Sequence, residues 1–308
     1  MEVPSKLPSE ATSCEPQPHP QPVATRPNRT MAQQRNINDT VLVNSKPAPQ
    51  LGFGVYKSPS STCEASCLTA LSCGYRRIDT AQFYENEAQV GAAVEKSGLG
   101  REAVWLVTKI LDPGASAEES YRRCLDSIAR LGGGYVDEFL IHSPNCGDVQ
   151  VRRQTWRALE WLYKEGKVRS IGVSNFSIQQ MEELRAEAVV WPPHVNQIEL
   201  HPWLQQNKTT AYCAENGIVV EAYCPLARNT RADDQTVRAV ATKYGVEPSQ
   251  VLIRWSLQRG FVPLPKSDRT ERIRANADVY GFELDADDMA RLDSLDEGRD
   301  GALVMAVD

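Results

Sequence analysis

Four side chains in the first half of the chain, Asp79, Tyr84, Lys109 and His142, could together give a proton to an oxygen. A phenol with its ordinary pKa of about 10 is a poor acid at neutral pH. An ammonium beside it lowers that pKa by favouring the phenolate. A buried ammonium needs a counter-charge, which an aspartate supplies. A histidine nearby can hydrogen-bond the same oxygen and orient the group that carries it. The set suits an oxygen that gains negative charge as its carbon is attacked.

These residues matter only if something brings them together. Asp79 ends a short apolar run at 76–79, Lys109 one at 104–109 and His142 one at 136–142. Tyr84 follows Asp79 by five residues, before a helical pattern that runs to about Gly98. Further strand-like runs lie at 51–55, 168–175, 194–200, 218–223 and 261–264. Amphipathic stretches separate them. Ser61 with Glu64, Ser116 with Glu119, and Ser177 with Gln180 read as capping boxes that open three of the helices. The others are expected near 206–216, 234–244, 248–258, 269–277 and 286–294. Regular alternation of single strands and helices predicts a parallel sheet with right-handed crossovers. Eight such units in one chain fit a single-domain (β/α)8 TIM barrel. An open dinucleotide-binding sheet would carry GxGxxG after its first strand, and the sequence has none.

In such a barrel the C-terminal strand ends form one rim, where sites are built. Reading each end gives Asp79, Lys109, His142, Ser174 with Asn175, Gln197, Tyr223 and Lys266. A rim of that composition is more than solvated loop chemistry.

Composition narrows the setting. The chain has 308 residues and a net charge of −6, which gives no footprint for nucleic acid or an anionic membrane. No apolar run reaches the length of a membrane span. Eight scattered cysteines without a CxxC pair argue against zinc, and the four histidines are too dispersed for a metal motif. A reducing, cytoplasmic setting is expected. Residues 1–40 read as a disordered Pro-rich tail, with Pro16, Pro18, Pro20 and Pro22 alternating. It has neither the apolar core of a secretory signal nor the acid-poor composition of a transit peptide. Residues 41–308 form the barrel.

The chain resembles the aldo-keto reductases. Gly74-Tyr75-Arg76-Arg77-Ile78-Asp79-Thr80-Ala81 with Tyr84-Glu85-Asn86-Glu87 is similar to that family's first signature. Ile171-Gly172-Val173-Ser174-Asn175-Phe176 is similar to the second, and Leu264-Pro265-Lys266-Ser267 with Arg272-Ile273 and Asn276 to the third. The resemblance implies NADPH-dependent reduction of aldehydes or ketones, with Tyr84 as proton donor and Asp79, Lys109 and His142 completing the catalytic set. It further implies that Ser174, Asn175 and Gln197 hold the nicotinamide carboxamide and that Tyr223 stacks on the ring. Lys266, Ser267 and Arg272 would meet the 2′-phosphate, with Asn276 near the adenine.

Tyr56, Phe83, Leu111 and Ser143 are expected to line the substrate pocket. Tyr56, Leu111 and Ser143 stand where the family often has larger aromatic groups, and Ala275 where many members have an acid near the adenine. The substrate site shows no obvious cation besides Lys109, so anionic substrates are not specially favoured. Residues 302–305 are placed to fold over the mouth. The expected partner is a small carbonyl compound, with the chain a monomer or weak dimer. The alternative is an NADP-binding redox-sensing subunit without turnover, similar to the potassium-channel β subunits.

Overall fold

The computed structural model describes residues 36–132 and 134–308, so most of the Pro-rich tail lies outside the described residues. The fold extends back to Asn36, a few residues before position 41, and Ile37 packs against the core beside Gly74.

The first element is a hairpin that the sequence reading missed. β1 (Thr40–Val43) and β2 (Lys46–Pro49) pair antiparallel with Val43 opposite Lys46. Asn44 and Ser45 between them both have positive φ, 48° and 59°. That is the geometry of a two-residue turn matched to strand twist. Val43 and Ala48 bury against Trp105, Val107, Leu140 and Val195. Trp105 and Val195 are the first residues of their strands, so the hairpin covers the N-terminal end of the sheet.

Eight parallel strands follow: β3 (Phe53–Gly54), β4 (Arg77–Asp79), β5 (Trp105–Ile110), β6 (Val136–Ile141), β7 (Val168–Ser174), β8 (Val195–Glu199), β9 (Val219–Tyr223) and β10 (Val262–Pro263). Each pairs with its sequence neighbour, from β3 through to β10. Gly52 N donates to Pro263 O at 3.1 Å and Gly54 N to Pro265 O at 3.0 Å, closing the seam between the first and last strands. A Cβ on Gly52 would stand 2.5 Å from Leu264 Cδ2 and 3.0 Å from Arg77 Cδ, so any larger residue there would have to displace those side chains. The expected barrel is the observed one.

Ten helices connect the strands among the described residues: α1 (Ser60–Ser72), α2 (Glu87–Lys96), α3 (Ala117–Arg130), α4 (Val149–Lys164), α5 (Ile178–Arg185), α6 (Asn207–Glu215), α7 (Gln235–Tyr244), α8 (Pro248–Gln258), α9 (Thr270–Ala277) and α10 (Ala286–Asp293). The expected capping boxes fare differently. At Ser177 and Gln180 both halves form. Ser116 accepts from Glu119 N, but the Glu119 carboxylate turns to Ala115 N. The box at Ser61 is absent. The N-cap is Pro59, two residues earlier and without a side-chain cap, so Ser61 lies inside α1, and Glu64 pairs with Lys96 instead.

Side chains alternate across a strand. The outward set, including Ile78, Leu106, Phe139, Ile171, Ile198 and Val220, packs under the helices as the main apolar core. The inward set carries Arg77, Asp79, Lys109, Glu138, Gln197 and Glu221, every one buried. The barrel interior is therefore unusually charged, and the mouth chemistry sits on top of that layer. Among the described residues no helix is long and apolar enough to cross a membrane.

Candidate active site

Asp79 is the last residue of β4 and Lys109 stands one residue from the end of β5. A 3-10 turn, Gln82–Tyr84, returns the tyrosine over them. The Lys109 ammonium lies 2.7 Å from both Asp79 oxygens, 3.0 Å from Thr80 O and 3.3 Å from the Tyr84 hydroxyl. His142, directly after β6, sets its ring edge-on to Tyr84 with centroids 5.5 Å apart. The four residues converge at one mouth, within hydrogen-bond reach where chemistry requires it.

Their electrostatics differ from expectation in one respect. The Tyr84 phenol is held well above its usual value, first by burial and then by the Asp79 charge. Burial lowers the pKa of Lys109 itself, against the pull of Asp79. His142 is pushed down to about 3, by burial and then by Lys109, so its ring is neutral at physiological pH. Its Nδ1 is buried without a hydrogen-bond partner. The site thus presents a protonated phenol, an ammonium behind it and a neutral imidazole.

The next rim positions form one network. Asn175, at φ 62°, donates from Nδ2 to His142 O at 3.1 Å and to Ser174 Oγ at 3.1 Å. Tyr223 donates its hydroxyl to Asn175 Oδ1 at 2.7 Å. Ser174 Oγ donates to Gln197 O at 2.8 Å. The Gln197 amide nitrogen donates to Asp79 Oδ2 at 2.9 Å and Glu221 Oε2 at 2.7 Å, which leaves its carbonyl oxygen as the free acceptor.

Below Gln197 lies a layer that the strand-end reading passed over. Glu221 contacts the Arg77 guanidinium, which stands 3.8 Å from Glu138. Trp105 Nε1 donates to Glu138 Oε2 at 3.3 Å. Two cations, Lys109 and Arg77, therefore share the interior with three carboxyl groups. Glu138 is pushed up to about 7 by burial, so it is the acid that can stay neutral and balance the charge. The signal was present: Arg77, Glu138 and Glu221 fall on the inward parity of their strands.

Of the expected pocket residues, Tyr56 packs tilted against Tyr84 with ring centroids 5.0 Å apart and Phe83 lies 6.2 Å from His142, both exposed at the mouth. Leu111 follows β5 and is partly buried. Ser143 is partly committed elsewhere: its hydroxyl accepts from Asn145 N and starts a short turn. The expectation of a substrate site without a cation besides Lys109 is corrected. Lys57 stands 5.5 Å from the Tyr56 ring centre and Arg228 lies against Cys224. Neither ends a strand, which is why a reading of strand ends misses them.

Lys266, Ser267, Arg272 and Asn276 lie together from the end of β10 through α9. Asn276 is buried, while Arg272 is exposed on the first turn. The C-terminal segment is tied to the same rim. Leu303, Val304 and Met305 donate backbone N–H groups to the Glu199 carboxylate at 2.8, 2.7 and 2.9 Å. The Asp308 side chain accepts from Lys208 N and Thr209 N at the start of α6.

Comparison with known proteins agrees with this geometry. Residues 51–297 match the model of the aldo/keto reductase family. The chain belongs to that family and is an oxidoreductase. It is 42% identical over 261 residues to an uncharacterized oxidoreductase of Schizosaccharomyces pombe, covering 83% of this chain and 93% of that one. It is 39% identical over 264 residues to the glyoxal reductase of Bacillus subtilis, covering 85% and 94%. Among solved structures, an aldo/keto reductase from Brucella melitensis superposes with a TM-score of 0.80 at 36% identity, covering 83% of this chain and 99% of that one. A Bombyx mori aldo-keto reductase in complex with NADP gives a TM-score of 0.80 at 28% identity, covering 87% and 95%.

Proposed function

We propose that this protein reduces small aldehydes and ketones to alcohols with NADPH, using Tyr84 as the proton donor. The observation that carries the reading is the protonated Tyr84 phenol 3.3 Å from an Asp79-held ammonium, beside a neutral His142.

The residues present fit the cofactor. Lys266, Arg269 and Arg272 gather cations about the first turn of α9, where backbone amides also favour an anion. Lys57 and Arg228 add positive charge along the rim. The free Gln197 carbonyl oxygen can accept from a carboxamide, and Tyr223 offers an aromatic face. Bound NADPH supplies the hydride to the carbonyl carbon. Tyr84 gives its proton to the carbonyl oxygen. Lys109 donates a hydrogen bond to the phenolate left behind, and Asp79 holds Lys109 in place. His142 hydrogen-bonds the carbonyl oxygen and fixes the angle of approach.

Tyr56 and Phe83 make the mouth partly aromatic, which favours aromatic or medium-chain aldehydes. The seven described cysteines are free thiols, in keeping with a cytoplasmic setting.

The test is a panel of aromatic, medium-chain and dicarbonyl aldehydes with NADPH, followed at 340 nm. Turnover of several members supports the reading. Tight NADPH binding without turnover of any carbonyl would replace it with the redox-sensing alternative.

A further inference from the structure

Lys266 does not stand alone. The Asp268 carboxylate forms an ion pair with its ammonium, and the same carboxylate accepts from Ser58 Oγ and, at 3.0 Å, from Ser66 Oγ. Ser58 lies in the loop after β3, and Ser66 lies on α1. Two hydroxyls from other elements thus fix the acid in place. Lys266 is also 3.4 Å from Lys57 O. Among the described residues no carboxylate pairs with Arg269 or Arg272, so Asp268 is the acid that answers this group of cations. Burial works against its charged form, but the hydrogen bonds from Lys266, Ser58 and Ser66 outweigh it and hold Asp268 below the usual carboxylate range.

A 2′-phosphate and a free 2′-hydroxyl meet such an acid differently. A phosphate monoester carries close to two negative charges at neutral pH and would compete with Asp268 for Lys266. A ribose hydroxyl is neutral and can donate to a carboxylate, which is how acidic residues select the unphosphorylated dinucleotide elsewhere. We propose that Asp268 is a specificity-determining residue that narrows the preference for NADPH over NADH and lets the enzyme use both. The inference rests on the reading of Lys266 to Asn276 as the adenosine end of the cofactor site.

The experiment measures binding, free of turnover. Dissociation constants of NADPH and NADH are taken from tryptophan quenching at fixed low ionic strength. Calorimetry adds adenosine 2′,5′-bisphosphate and AMP. Asp268→Asn keeps the size and an oxygen acceptor for Ser66 while removing the charge. It should tighten NADPH and the bisphosphate on the order of tenfold, the scale of one nearby unit charge in a partly solvated site. NADH and AMP should hold steady or weaken. Raising the salt should shrink the difference, because exposed charges are screened. Asp268→Ser should move affinities the same way, which guards against a packing effect peculiar to asparagine. Arg272→Ala is the control, expected to weaken NADPH and spare NADH.

If Arg272→Ala behaves so while both Asp268 variants leave NADPH binding unchanged or weaker, the role of Asp268 is overturned and the cofactor reading stands. If the wild type binds neither NADPH nor the bisphosphate, the cofactor reading falls and this inference with it.

Discussion

Gln197 stands 2.7 Å from Glu221, donating from the same amide nitrogen that reaches Asp79. That one contact couples the mouth of the barrel to the charged layer beneath it. Glu221 in turn contacts Arg77, and all of these side chains are buried.

Removing one partner of a buried ion pair leaves an uncompensated charge, at a cost of about 3–5 kcal/mol. Glu221→Gln should therefore lower the stability by that order in urea unfolding. The double variant Arg77→Met with Glu221→Met removes both charges and should recover most of the loss. A double variant as unstable as the sum of the singles would show that the pair is not the unit.

Tyr84→Phe removes the proton and little volume. General acid catalysis is worth about 10²–10⁴-fold, so single-turnover NADPH oxidation with a good aldehyde should slow by that order while NADPH affinity barely changes. A wild-type single-turnover rate would mean that another group gives the proton. Lys109→Met should act in the same direction, with added instability from the unpaired Asp79.

Two shifted groups predict opposite slopes of stability with pH. Glu138 has a raised folded pKa, about 7 against an ordinary 4.5. The folded state therefore holds the extra proton between those values, and stability from this group falls as pH rises through that window. His142 is depressed to about 3 from 6.5. There the unfolded chain takes up the proton first, so stability falls as pH drops from 6.5 towards 3. Each contributes at most about 1.4 kcal/mol per pH unit. The two windows overlap between about 4.5 and 6.5 and largely cancel there, so Glu138→Gln should turn a nearly flat profile into one in which stability falls as pH drops, as read from urea midpoints between pH 4 and 8. An unchanged profile would relocate the titrating group.

Glu199 holds three backbone amides of the C-terminal segment. Burial raises its pKa, but His201 and the amides of Met305, Leu303 and Val304 more than compensate, so it stays charged at neutral pH. Glu199→Gln cannot accept all three as strongly. It should speed proteolysis of residues 302–308 and change the KM ranking among carbonyls of different size. An unaltered ranking after the segment is cleaved would mean that it does not touch the substrate.

Much of this was legible in the sequence because strand ends and inward parity obey simple rules. Asp79, Lys109, His142 and Ser174 each stand at or near a strand terminus, and Tyr84 follows one at short range, whereas Gln197 is the middle residue of β8 and reaches the site by its inward parity. β1 and β2 were not legible. Pro47 and Pro49 fall within the second strand and read as breaks, yet both are accommodated in a separate two-stranded sheet. Lys57 and Arg228 sit on loops whose paths local pattern does not set; φ is 58° at the first and 49° at the second. The direction of the Tyr84 shift was misjudged, because a pairwise argument weighed the ammonium and left out how completely the barrel excludes water.

The hairpin at the N-terminal end also acts as a stopper. With Val43 and Ala48 sealing that face, the barrel is a vessel with one opening. In the reaction proposed above, carbonyl, alcohol and the proton that restores Tyr84 would all share that doorway. The departing alcohol would stand between the phenolate and bulk water, so recharging the acid would wait on product departure, and thickening the solvent should slow steady turnover while leaving the first turnover untouched.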